Sequence, residues 1–212
     1  GCWGLGGGRA TASANGTAWN GGWRSRDAGK TWEQVLPGDV RTFSFDPLDD
    51  DIVYAGTGPI RLFRSDDGGT TWAPLDGMLD FPADVKQKWG VPYPYRGKEE
   101  PHVRNIHIQP EDSRQIFVLL EHGGVLFSGD GGTTWSDRSN GIDYVDMHMI
   151  ANYPGSKDTY FVSSAQGFYR TDDRGAHWTR SERGMPWSER PEWCYSHEWR
   201  FIDAGQPRMV VC

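Results

Sequence analysis

Four short segments of this chain set polar or ionisable side chains two residues apart: Asp39-Val40-Arg41, His102-Val103-Arg104, Asp146-Met147-His148 and Tyr195-Ser196-His197. Each stands at the head of a strand-forming stretch, where alternation by two places the first and third side chains on one face. In register, Arg41, Arg104, His148 and His197 share one equivalent position, and Asp39, His102, Asp146 and Tyr195 the position before it. Packing alone would put small or apolar residues there, so this succession points to a ligand. Guanidinium and imidazole groups hold carboxylate, phosphate or sugar oxygens by charge-assisted hydrogen bonds. Arg41, His102, Arg104, His148, Tyr195 and His197 are therefore the candidate ligand-binding residues. Glu121, in the segment Glu121-His122-Gly123-Gly124, and Asp146 are the candidate catalytic residues, acid or base toward a glycosidic bond. A metal reading uses His102, His148, His197 and Glu121, whose donors suit zinc or another divalent transition metal. No local ligand spacing requires it, and a polar channel filled with water would explain the same histidines.

Positioning these groups falls to a repeat. Ser25-Arg26-Asp27-Ala28-Gly29-Lys30-Thr31-Trp32, Ser65-Asp66-Asp67-Gly68-Gly69-Thr70-Thr71-Trp72, Ser128-Gly129-Asp130-Gly131-Gly132-Thr133-Thr134-Trp135 and Thr171-Asp172-Asp173-Arg174-Gly175-Ala176-His177-Trp178 align without gaps. Ser or Thr, Asp, Gly and Trp recur at fixed places, as expected of one structural unit used repeatedly. The Asp side chain accepts backbone N–H groups across a tight turn, the Gly supplies a positive φ, and the Trp is a wedge between sheets. Asp27, Asp67, Asp130 and Asp173 are thus turn-makers rather than catalysts, and no calcium-loop ligand series accompanies them.

These octapeptides resemble the Asp-box, or BNR, repeats of sialidases, xyloglucan-active glycosidases, sortilin-type receptors and photosystem assembly factors. The resemblance implies an all-β propeller of four-stranded antiparallel blades with Asp-box turns between the third and fourth strands. It further implies a ligand face at the opposite end, lined by the heads of the inner strands and the loops beside them. A true sialidase is not expected, because its Arg-Ile-Pro motif is replaced by Pro59-Ile60-Arg61. The implied activity is glycosidase-like hydrolysis of a carbohydrate or anionic substrate. The alternative is a non-catalytic module that holds a polypeptide.

The spacing of the boxes, 40, 63 and 43 residues, predicts blades at 39–75, 101–140 and 145–180. Partial blades are expected at 1–38 and 195–212, with insertion loops at 76–100 and 179–194. The long insertion carries Trp89, Tyr93, Tyr95 and Arg96, and the shorter one Trp187 and Trp193, aromatics that suit stacking on a sugar ring. The expectation is a piece of a larger propeller, or one completed by another copy, with closure into four blades as the alternative. Within each blade the first strand is predicted at 40–46, 103–109 and 147–152, the second at 52–55, 116–120 and 159–163, and the third at 61–64, 125–128 and 168–171.

Composition agrees with this class and narrows the partners. Gly at 28 of 212 residues, with 11 Trp, suits an all-β protein rich in tight turns. A net charge of −7 with both signs dispersed argues against a nucleic-acid partner, and no apolar run is long enough to span a bilayer as a helix. Cys2, Cys194 and Cys212 are too few for a disulfide framework, with one bridge to Cys212 and free thiols both open. The Asn15-Gly16-Thr17 sequon tilts the expectation toward a secreted or periplasmic setting.

Overall fold

A computed structural model describes residues 21–87, 89 and 101–184, together with the backbone of 2–5, 199–202 and 208–211. The architecture is all-β, with antiparallel sheets in sequence. A three-stranded sheet joins β1 (Cys2–Leu5), β2 (Gly22–Ser25) and β3 (Glu33–Leu36). Three four-stranded sheets follow, each a meander. They are β4 (Asp39–Phe45), β5 (Val53–Gly58), β6 (Arg61–Ser65) and β7 (Ala73–Pro74); β8 (His102–Ile108), β9 (Ile116–Glu121), β10 (Gly124–Ser128) and β11 (Ser136–Asp137); and β12 (Met147–Asn152), β13 (Tyr160–Ser164), β14 (Gly167–Thr171) and β15 (Thr179–Arg180). A hairpin of β16 (Trp199–Ile202) and β17 (Arg208–Val211) ends the described chain. Each fourth strand begins one residue after its Trp, because the Trp still belongs to the turn. The insertion contains a 3-10 turn, Asp76–Leu79, and a single α-helical turn, α1 (Ala83–Lys86). Met78 of that turn is fully buried.

The sheets are blades stacked face to face, and β9 shows why. Its run Ile116-Phe117-Val118-Leu119-Leu120 is wholly buried. Ile116, Val118 and Leu120 join Tyr54, Leu62 and Met78 in one apolar cluster; Phe117 and Leu119 join Met147, Ile150, Tyr160 and Trp178 in the next. A continuous apolar strand is what burial on both faces demands. Close approach imposes a second demand. A Cβ on Gly56 would fall 2.3 Å from Val103 Cγ1 and 2.5 Å from its Cβ, so β5 can meet β8 only without a side chain.

The Asp-box turns repeat one hydrogen-bond scheme. In the third copy Ser128 Oγ donates to Asp130 Oδ1 (2.8 Å) and accepts from Gly132 N (2.8 Å), while Asp130 accepts from Thr134 N (2.9 Å) and Thr134 Oγ1 (2.6 Å). Thr31 and Ser25, and Thr134 and Ser128, hold Asp27 and Asp130 well below the usual carboxylate range, at about 2. The fourth copy keeps the Thr171–Asp173 and His177 N–Asp173 bonds. It has no hydroxyl at residue 177 for the fourth bond. Both central residues of every turn have positive φ, including Ala28 and Arg174, which lack the freedom of Gly. Trp72 packs on Phe43 of its own blade, whereas the next two copies reach the preceding blade: Trp135 in the cluster with Tyr54 and Leu62, and Trp178 with its Nε1 donating to Arg138 O at 2.7 Å. Trp32, in the first copy, is 44% exposed.

A partly buried imidazole lies in a blade interface. His107 sits edge-on to Tyr160 at 5.7 Å, and burial alone lowers its imidazole from 6.5 to about 4. The fold therefore favours the neutral form. Its contribution to stability is complete above about pH 6.5 and declines as pH falls toward 4.

Two outcomes follow. Gly56→Ala should destabilise the protein by about 1–3 kcal/mol through overpacking against Val103, read from urea unfolding. His107→Leu should flatten the loss of stability between pH 6.5 and 4, where the unaltered protein loses about 1 kcal/mol per pH unit from this group, read from denaturation midpoints at several pH values.

Candidate functional site

The inner strands β4, β8 and β12 each carry a β-bulge at the same place. Pairing slips between Val40 and Thr42, between Val103 and Asn105, and between Met147 and Met149, which leaves Arg41, Arg104 and His148 as the bulged residues. A bulge interrupts the ladder and re-aims a side chain. It also breaks the alternation by two: Met147 enters the cluster with Tyr160, whereas Met149 packs with Phe161 and Phe168. Simple alternation puts those two methionines on one face, and the bulge at His148 is the reason they part.

Each bulged residue is matched to an acid. Arg41 donates twice to Asp39, Nε to Oδ1 at 2.7 Å and Nη2 to Oδ2 at 2.8 Å. His148 Nε2 lies 3.6 Å from Asp146 Oδ1. The middle sheet differs, because His102 stands where its neighbours have Asp. The acid there comes from across the ladder: Glu121, paired with His102 in register, sits 3.1 Å from His102 Nε2 and 3.5 Å from Arg104 Nε through Oε2. Arg41 and Arg104 are thus each paired with a carboxylate. Burial pushes the Glu121 carboxyl up, but the hydrogen bond from His102 and the charges of His102, Arg104 and His122 outweigh it and hold it near 2. Glu121 is a fixed anion at neutral pH, fit for a base or an electrostatic role and not for a proton donor.

Glu121 ends β9, and the next residue begins the turn to β10. His122 adopts φ +61 there and is only 8% exposed. The turn is pinned by Gly123 N and Gly124 N, both donating to Val145 O at 3.2 and 3.1 Å. That brings the segment before β12 against it, so that Glu121, His122 and Asp146 offer one donor atom each within 4.8 Å of one another. His122 was not among the residues singled out by strand-head alignment. A bulky imidazole directly before Gly123-Gly124 is the signal that marks it.

A cleft of about 430 Å³ adjoins this turn, lined by Val85, Trp89, Gly123, Asp137, Asn140 and Val145, with Ser139. Trp89 reaches back from the insertion, packs edge-on to Phe81 at 5.8 Å, and lies so near Gly123 that a Cβ there would meet its Cδ1 at 3.2 Å. Another cleft, at the Asp-box end of the fourth blade, is lined by Arg170, Asp172, His177 and Arg180; Arg170 is spent on Asp172 at 2.7 Å and Arg180 on Asp143 at 3.1 Å. Tyr195, His197, Trp187, Trp193, Tyr93, Tyr95, Arg96 and the side chains of the three cysteines lie outside the described residues.

Residues 63–74, which span the second octapeptide, match the BNR/Asp-box repeat family. This chain is built of BNR/Asp-box repeats. It is 25% identical over 180 residues to a xyloglucanase of Hypocrea jecorina (strain QM6a), covering 64% of this chain and 21% of that protein. It is 26% identical over 172 residues to a probable oligoxyloglucan-reducing end-specific xyloglucanase of Neosartorya fischeri, covering 76% of this chain and 19% of that protein. The Asp-box chain therefore spans about a fifth of the length of these relatives. Among solved structures, an ancestral GH74 enzyme superposes with a TM-score of 0.60 at 18% identity, over 88% of this chain and 24% of that one. That likeness establishes the fold, a propeller of Asp-box blades. Among the described residues, no helix is long and apolar enough to cross a membrane.

The pairing at the head of the middle blade has a measurable consequence. Glu121→Gln should lower stability by about 1–3 kcal/mol, because His102 and Arg104 lose their carboxylate. In a double-mutant cycle with His102→Gln, the two losses should be less than additive, with a coupling of about 1 kcal/mol measured by urea unfolding.

Proposed function

We propose that these blades contribute the substrate face of a carbohydrate-active propeller, and that the cleft beside the β9–β10 turn receives an uncharged oligosaccharide of the xyloglucan type. The carrying observation is the juxtaposition, at that turn, of an aromatic-walled cleft with a buried carboxylate–imidazole cluster. Trp89 offers its indole to a sugar ring, and Asp137, Ser139 and Asn140 supply polar edges. The charge balance favours a neutral ligand. Arg41 is already held by Asp39 and Arg104 by Glu121, so an anionic sugar would meet guanidinium groups that are matched. The names of the relatives, both xyloglucanases, favour the same ligand class.

Any hydrolytic step is assigned to Glu121 and Asp146. Glu121, held as an anion, serves as base or charge stabiliser, and Asp146, buried beside it, is the second carboxyl group of the pair. Arg41, His102, Arg104 and His148 act as positioning residues, through the carboxylates they hold. A xyloglucan-type ligand favours a setting outside the cytoplasm.

Calorimetry with xyloglucan oligosaccharides should detect saturable binding, and Trp89→Ala should weaken it by about tenfold with little change in melting temperature. Trp89→Phe should retain most of it. Unchanged binding in Trp89→Ala would remove the cleft from the account. A reducing-sugar assay then separates the classes: turnover abolished by Glu121→Gln or Asp146→Asn supports a hydrolase. Binding without turnover makes the blades a non-catalytic module, the reading in which a polypeptide partner should be sought.

A further inference from the structure

We infer that Glu121, His122 and Asp146 form a binding site for one divalent transition-metal ion, with zinc the best match. This goes beyond the carbohydrate reading and does not depend on a sugar being bound. The three donors come from two separate segments, the end of β9 with its turn and the residue before β12, and those segments are fastened together by the backbone bonds to Val145 O. Their donor atoms lie within 4.8 Å of one another, a separation that modest side-chain rotation closes to a common coordination sphere. His122 and Asp146 are no more than 9% exposed, and the Glu121 side chain 17%. Two carboxylates this close and this sheltered repel each other, and a shared cation removes the repulsion.

The surroundings are those of a supported site. Both groups on Glu121, His102 and Arg104, approach the same oxygen, Oε2, which orients the carboxylate and makes Oε1 the atom to offer a metal. His148 stands against Asp146 Oδ1 in the same supporting role. Outer groups that fix the direction of first ligands are characteristic of protein metal centres. His102 and His148, the imidazoles favoured by residue type alone, are therefore outer groups, and His122 is the ligand. One nitrogen among the donors disfavours calcium and magnesium, which prefer all-oxygen shells. Three protein ligands leave a further position open, where paired hydroxyls of a sugar could bind. With metal bound, Glu121 and Asp146 are ligands; without it, they remain available for proton transfer.

The turn also offers a clean variant. His122 holds φ +61, a conformation Gly adopts freely, so His122→Gly removes the imidazole without straining the backbone. The intact chain, stripped with chelator, is titrated with zinc chloride by calorimetry, and then with cobalt chloride to read the visible ligand-field bands. One zinc per chain is expected, with affinity reduced at least tenfold and the cobalt bands lost or shifted in His122→Gly, whose metal-free fold is verified by circular dichroism and a cooperative melt. Glu121→Gln and Asp146→Asn should weaken zinc similarly. Absence of saturable zinc binding overturns the proposal, as does zinc binding that persists unchanged in His122→Gly, which would place the ion on other ligands. Neither of these outcomes touches the cleft reading, which stands or falls on the Trp89 variants measured without metal.

Discussion

A sheet buried on both faces has no room for a charged side chain except at the ends of its strands. That restriction governs this molecule. The middle blade is covered by the blade before and the blade after, so β9 presents Ile116, Val118 and Leu120 one way and Phe117 and Leu119 the other, with no polar position between them. Apolar area removed from water on two faces, at roughly 25 cal/mol per Å², is the main stabilising contribution. It also forces close approach, which is why Gly56 faces Val103 without a side chain. What is polar is driven to the two rims, and the rims divide the work. One holds the Asp-box turns and is structural; the other holds the strand heads and their ion pairs.

The bulges are how the second rim escapes the first constraint. Without them, alternation would carry Arg41, Arg104 and His148 along the same faces as the apolar residues that follow. With one residue left out of the ladder in each inner strand, the bulged side chain turns to the rim, and the apolar series resumes in register beyond it: Val103, then Ile106 and Ile108, all against the preceding blade. The same device recurs in three successive blades, which makes it a property of the repeat. Chemistry is then varied without touching the core, by changing only the residues on either side of the bulge.

Much of this was legible in the residues. The four octapeptides announced the blades, because Ser, Asp, Gly and Trp at those spacings have one economical use, and the hydrogen bonds around Asp27, Asp67, Asp130 and Asp173 are those the side chains imply. The strands, too, followed from short β-branched runs ended by Asp46-Pro47 and Gln109-Pro110. The site was only half legible. Alignment found the positions of Arg41, Arg104 and His148, but not their bulges, since a bulge is a slip between two strands and neither strand records it alone. It could not pair His102 with Glu121, which lie nineteen residues apart and meet only through the β8–β9 register. Nor could it join His122 to Asp146, a contact made by the turn bonds to Val145 O.

The middle blade is where the pattern changes, and the change is informative. In the blades on either side, the acid stands two residues before the bulged residue, as Asp39 before Arg41 and Asp146 before His148, so each pair is made within one short segment of chain. In the middle blade an imidazole takes the place of that acid, and Glu121 moves the negative charge to the end of the neighbouring strand. The displacement is small, but it carries the carboxylate from the strand head to the turn, beside His122 and within reach of Asp146 of the next blade. A self-contained pair becomes a cluster shared across a blade boundary. Interfaces between repeats are where ligands can be gripped from two sides, and here the boundary also opens beside Trp89. The substitution of His102 for the expected acid therefore does more than alter one contact: it assembles the only carboxylate–imidazole cluster with metal-ligand spacing among the described residues, at the edge of the cleft beside Trp89.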